Sequence, residues 1–314
     1  MKLHVVVCRY VAFRKSLGER FHTNEKVLKS FCRSLGNRID VGEVREDQVE
    51  AFLTGTGPVT RSWHVKYSAL LGFYRYALTR GYAKDSPMHV AIPKRPQPFV
   101  PYIYSREELS RLLKGALTYQ KNRGRLAPFV VQTLLLFLYG TGLRVRESLA
   151  LTLADVDLAA GVVTVRESKF FKSRLVPLGP QLLKSLVTYA TQRNVAGHSV
   201  GGGPFFIARN GGPINMSTLQ GNFCRIREHA SIHRNDGATY QPRIHDLRHT
   251  FAVHRLVAWY RQGAEVQHLL PHLSVYLGHA HLAATSVYLS MTPELLAEAN
   301  KRFEQHALRE VVHD

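Results

Sequence analysis

The sequence predicts a mainly α-helical protein with one small antiparallel β-sheet. Three observations carry this expectation. Apolar residues recur at helical spacing through most of the chain. Strand-like text is confined to residues 156–178. A proline-dense run, Ser86-Pro87 to Pro101, divides the chain into two parts of unequal length. A length of 314 residues fits about two domains. The expected division is a helical domain over 1–92, a Pro-rich linker over 93–103 and a larger mixed domain over 104–314 with a closing helix.

The first domain reads as several helices from about Tyr10. Val27, Leu28, Phe31 and Leu35 share one helical face, and Gly36-Asn37 stops it. A short helix follows over Glu46 to Leu53 and ends at Gly55-Thr56-Gly57-Pro58. A longer one starts at Thr60, with Trp63, Tyr67, Leu70, Leu71, Tyr74 and Leu78 as its apolar stripe and Gly81 at its end. Such an aromatic stripe packs a core more often than it stacks bases.

In the second domain, Ser105 with Glu108 three residues on is a capping-box start. Phe129 to Tyr139 is almost wholly apolar and reads as a buried helix, running into TGLRVRE at 141–147. Strands are expected at Val156–Leu158, Gly161–Arg166 and Arg174–Leu178, with Lys169 in the turn between the last two. Helices follow over Pro180 to Thr191, from a Ser217 cap to about Ala230, and from Pro293 to Arg309. The glycines at 201–203 and 211–212 form loops. No Gly-Lys-Ser/Thr follows them, so they are not a nucleotide loop.

Lys and Arg number 42 against 23 Asp and Glu, a formal net charge of +19, and the isoelectric point is about 10.1. An excess of this size steers a protein towards a polyanion. Nucleic acid is the first candidate. An anionic membrane surface is the second, weakened because no apolar run reaches spanning length. Three widely spaced cysteines with no CxxC argue against a disulfide framework and suit a reducing cytosol. Sixteen histidines raise the question of zinc. The pair His245 and His249 lacks the glutamate of HExxH, and His268 and His272 are interrupted by Pro271, so no metal is expected.

The chemistry concentrates between Arg243 and Leu289. This stretch offers His245, Arg248, His279 and Tyr288 in that order. Arginine binds phosphate oxygens in a planar fork, histidine moves protons and a phenol can attack phosphorus. His245 and Arg248 lie one helical turn apart and share a face. His249 is an alternative proton carrier, His281 competes with His279, and Tyr276 competes with Tyr288 but reads as core.

The segment TGLRVRESLALTLADVDL, a lysine in a hairpin before RLVPL, HDLRHTF, and LGH followed by a tyrosine nine positions on resemble the tyrosine recombinases, or phage integrase family. The resemblance covers most of Tyr104 to Pro293. It implies an N-terminal helical core-binding domain, matched more weakly, and an α/β catalytic domain that together clamp duplex DNA. It implies that Arg144 and Arg248 clamp the scissile phosphate and that Lys169 protonates the leaving 5′ oxygen, with Lys172 in the same turn as the competitor. His245 handles a proton, in the usual reading the nucleophile's. His279 hydrogen-bonds a phosphate oxygen, and Tyr288 attacks to form a 3′-phosphotyrosine. Glu147 buttresses the site, its bland alternative being a helix salt-bridge partner.

The implied function is site-specific DNA recombination or integration, as in mobile elements, by a homo-tetramer on double-stranded DNA, with no cofactor, ATP or metal and no membrane. The implied compartment is the cytoplasm, at the nucleoid. A topoisomerase-like relaxing enzyme and a catalytically idle DNA-binding protein are the rivals. The stretch between Arg248 and His279 is longer than in the simplest members of the family.

Overall fold

The computed structural model describes residues 1–36, 38–55, 59–95, 100–119, 124–166, 173–195, 202–238, 240–291 and 293–312. The chain forms two compact units, Met1–Phe99 and Val100–Asp314. Within the Pro-rich linker, residues 96–99 lie outside the described residues. Among the described residues, no helix is long and apolar enough to cross a membrane.

The first unit is helical: α1 (Leu3–Ser16), α2 (His22–Leu35), α3 (Glu46–Thr54) and α4 (Arg61–Thr79). The helical text begins earlier than Tyr10. Leu3, Val6, Val7, Tyr10 and Val11 are all buried along α1. Their spacing is helical, and Arg9 falls among them on the exposed side, while Arg14, beyond Val11, lays its guanidinium over the Phe21 ring. Thr60 caps α4 through a hydrogen bond from the Ser62 N–H. Trp63, Leu70, Phe73 and Tyr74 of α4 are buried, and Tyr10 packs edge-on against Phe21 and Phe73. The aromatic stripe is therefore core.

The second unit opens with α5 (Arg106–Thr118), where Ser105 and Glu108 form the expected reciprocal cap. α6 (Pro128–Thr141) buries Val131, Leu134, Leu135, Phe137 and Leu138. It is apolar all round because other elements cover it on several sides. A short α7 (Val145–Ala150) follows. Then β1 (Val156–Asp157), β2 (Val162–Val165) and β3 (Arg174–Pro177) form an antiparallel sheet in that order, with Val163 opposite Val176. Next come α8 (Pro180–Val195) and α9 (Met216–His229). The cap of α9 is Asn215, whose side chain accepts from the Ser217 N–H, and not Ser217 itself. Either residue type suits the position, so composition alone did not separate them.

The chemistry-bearing stretch folds as α10 (Asp246–Arg261), α11 (Val266–Leu277), α12 (Ala283–Ser286), a 3-10 turn (Val287–Ser290) and α13 (Pro293–Val312). α11 runs through Pro271 without ending there. The stretch between Arg248 and His279 is made up of the rest of α10 and all of α11. These two helices share a core of Phe251, Val253, Leu256, Val266, Leu270, Leu273 and Leu277, which also takes in Tyr288 and Leu295. α13 packs its first turns against α10, where Arg261 pairs with Glu294 at 2.8 Å and Glu298 at 3.2 Å.

Candidate active site

Two left-handed glycines set the geometry. Gly142 (φ +61°) closes α6 and Gly278 (φ +67°) closes α11. A Cβ on Gly142 would fall 2.4 Å from the Phe251 ring, and one on Gly278 would fall 2.7 Å from Arg174 Nη1. Only glycine satisfies both the backbone sign and the space. The last carbonyls of two helices therefore converge, and their partial negative charge is met by arginine.

Arg248, in the first turn of α10, is 3% exposed. Its Nη1 donates to the Gly142 carbonyl at 2.8 Å and its Nη2 to the Leu277 carbonyl at 2.7 Å. Neither partner carries a full charge, so most of the guanidinium's charge stays uncompensated by these contacts. Burial, then the charge of Arg144, draws its pKa down to about 10, which still leaves it cationic at neutral pH.

Arg144 stands at the N-cap of α7. Its Nη2 donates to the Gly278 carbonyl at 3.0 Å and its Nη1 to Glu147 Oε1 at 2.7 Å, while its backbone N–H donates to Glu147 Oε2 at 3.1 Å. On the other side of Glu147 is Arg174 of β3, whose Nη2 donates to Oε2 at 2.8 Å and whose Nε donates to the Tyr276 carbonyl at 2.8 Å. Burial pushes the Glu147 carboxyl up, but Arg174 and Arg144 outweigh it and hold the pKa below the ordinary value. Glu147 is thus an ionised carboxylate shared by two arginines. Arg174 was visible in the sequence only as the first residue of a strand. The signal was the RLVPL text itself, which said nothing about the carboxylate it meets.

The histidines and the phenol complete the group. His279 follows Gly278, and its Nδ1 is hydrogen-bonded to Thr285 Oγ1 at 2.7 Å. Tyr288, in the 3-10 turn, stacks its ring near His279 with centroids 6.2 Å apart. Its hydroxyl is hydrogen-bonded to His249 Nδ1 at 3.0 Å. The His245 ring lies edge-on to His249, 5.2 Å away. Tyr276 stacks on Phe251, and His281 is exposed. Arg144, Glu147, His245, Arg248, His279 and Tyr288 are therefore brought into one region of the second unit. Lys169 and Lys172 lie outside the described residues, between β2 and β3.

Burial is the main cause of the low pKa values of the three histidines, about 4 for His245, about 3 for His249 and about 4 for His279. Neighbouring cations add to it, Arg248 first for His245 and His279; for His249 the next cause is His245. All three are neutral at pH 7. Burial raises the Tyr288 pKa, while Arg248 and Arg144 act against the rise. The phenol is therefore protonated at rest.

The histidine shifts carry a stability consequence. Above about pH 6.5 both folded and unfolded rings are neutral and the linkage vanishes. As pH falls below 6.5, the unfolded chain takes up protons that the folded site excludes. We expect stability to decline from about pH 6.5 down to about 4 for His245 and His279 and about 3 for His249, by roughly 3 kcal/mol per ring at the low end. Thermal melts across that range check this. A His249→Asn variant should lose part of the slope.

The phage integrase family model matches residues 105–294. The integrase/recombinase y4rB of Sinorhizobium fredii is 33% identical over 306 residues, covering 95% of this chain and 96% of that protein. The tyrosine recombinase XerC of Oceanobacillus iheyensis is 31% identical over 289 residues, covering 89% of this chain and 87% of its own. Among solved structures, the lambda integrase (75–356) dimer bound to a COC′ core site superposes with a TM-score of 0.64 at 19% identity, covering 90% of this chain and 96% of that one. The Tn1549 transposon integrase with a circular intermediate DNA gives 0.67 at 15%, covering 96% and 98%. At these identities the structures speak for the fold, which is theirs. The relatives and the family match speak for more: this chain belongs to the phage integrase family and is a tyrosine site-specific recombinase.

Proposed function

We propose that this recombinase cuts and rejoins double-stranded DNA through a 3′-phosphotyrosyl bond at Tyr288. The observation that carries the reading is the convergence of Arg144 and Arg248 on the carbonyls of residues 277 and 278, beside the buried phenol. Two guanidiniums at one spot neutralise the charge that grows on a pentacoordinate phosphate, and their fixed anchors mean little reorganisation as it forms. His279, braced by Thr285, offers its other ring nitrogen to a phosphate oxygen. His245, one turn before His249 and beside the arginines, moves a proton at the phosphate. Glu147 keeps Arg144 in place. Lys169 supplies the proton to the leaving 5′ oxygen. The bond energy stays in the phosphotyrosine, so rejoining needs neither ATP nor a metal.

The partner is duplex DNA. The net charge of +19 supports this, as do the core site and the Holliday junction bound by lambda integrase. Phosphate contacts would dominate affinity and make it fall steeply with salt. Exchange between two duplexes needs four active sites, hence a homo-tetramer in the synapse.

The test is covalent capture. A nicked duplex taken from the DNA flanking the encoding gene traps the cleaved strand on the protein. The expected result is a DNA–protein adduct that survives denaturation. Lys169→Ala should cut an ordinary strand at least about a hundredfold more slowly. A 5′-thio leaving group, which needs little protonation, should restore its rate. Rescue at Lys172 instead would move the acid to that residue.

A further inference from the structure

The phenol of Tyr288 has a specific partner. Its hydroxyl and His249 Nδ1 lie 3.0 Å apart, with the two rings inclined at 57°. His245 has no hydrogen bond to Tyr288 among the described residues, and its ring stands perpendicular to that of His249, with centroids 5.2 Å apart. The phenol is the stronger acid of the hydrogen-bonded pair, so it donates and the imidazole accepts at Nδ1, with its proton on Nε2. The groups that act on His249 are His245, Arg248 and Arg243 from α10 and the turn before it, and His279 from the turn after α11. All disfavour the imidazolium, so the ring holds its lone pair ready at neutral pH.

We propose that His249 takes the Tyr288 phenol proton during strand cleavage and returns it during rejoining, a role that rests on Tyr288 being the nucleophile. As the Tyr288 Oη–phosphorus bond forms, the Oη–H proton passes to His249 Nδ1. The bond between phosphorus and the 5′ oxygen breaks, and that oxygen takes a proton from the acid assigned to Lys169. His249 ends as an imidazolium, and rejoining runs the same transfers backwards. The growing negative charge on the phosphate offsets the cations that make a resting imidazolium unfavourable. His245 is thereby left to serve the phosphate.

The test is single-turnover cleavage of the nicked duplex by the full chain from pH 6 to 9, with DNA binding followed by mobility shift. The wild-type rate should be nearly flat in pH. His249→Ala should be slowed about 10²- to 10⁴-fold. Its rate should rise about tenfold per pH unit, because the phenolate must then form before attack. Added imidazole should restore part of the rate. His249→Asn preserves an acceptor but no base, and should show the same slope without rescue. Equal rates and a flat profile in both variants would overturn the proposal, as would a uniform slowing with no change of slope and no response to imidazole. Tyr288→Phe is the control for the underlying reading. An adduct that persists in it overturns the nucleophile assignment and this role together, whereas its loss beside unaffected His249 variants overturns this role alone.

Discussion

Tyr288→Phe is expected to abolish covalent capture of DNA while leaving affinity within about twofold, since phosphate contacts supply most of the binding. The substitution removes one oxygen from a side chain that is 2% exposed. The ring stays in the core shared by α10 and α11, so packing is preserved. The lost hydrogen bond to His249 costs about 1 kcal/mol, offset in part because a buried phenol no longer needs a partner. Folding and DNA binding should therefore survive while chemistry stops. Denaturing gels beside mobility shifts check both halves. Loss of binding together with loss of the adduct would instead make Tyr288 a structural residue.

Glu147→Ala carries the second large effect, and here stability and activity fall together. The Arg174 side chain is 8% exposed, and Glu147 is its carboxylate partner. Removing one member of a buried ion pair leaves the other's charge uncompensated, at a cost of about 3–5 kcal/mol. For a domain of this size that lowers the melting temperature by about 10 °C. Arg144 loses its brace at the same time. A guanidinium displaced by an ångström from the phosphate costs about a hundredfold in cleavage. Glu147→Gln, which keeps the shape and one acceptor, should lose less on both counts. A Glu147→Ala protein that melts like wild type would show that the Arg144–Glu147–Arg174 chain does not hold the site.

The division between what the sequence disclosed and what it withheld follows from how each residue gets its role. Arg144 sits beside a glycine turn, and His245 and Arg248 sit one turn apart on a helix. Such patterns are local, and linear text records them. Arg174 and His249 acquire their partners across 27 and 39 positions of chain. No periodicity marks such a meeting. His249 lies four residues from His245, so both were visible as proton carriers. Only the 3-10 turn that carries Tyr288 decides which ring the phenol touches. The same limit explains the fold details. Helices α2 to α6, α8, α9 and α13 and the three strands follow from pattern, whereas α7 and α12 are too short to show a helical period, and the pattern marks α1 only from Tyr10, about two turns late. Pro271 reads as a helix break, yet α11 continues because Leu270, Leu273 and Leu277 bury against α10 on either side of it. Packing there outweighs a lost hydrogen bond.

The most direct measurement is the chemical identity of the link between protein and DNA. The adduct trapped on the nicked duplex is digested with protease and nuclease, and the nucleotide-bearing peptide is sequenced by mass spectrometry. The expected peptide carries a nucleotide joined through its 3′ phosphate to the oxygen of Tyr288. A link to Tyr276 or any other residue, or a phosphate attached through its 5′ end, would contradict the assignment of this phenol as the group that breaks the strand.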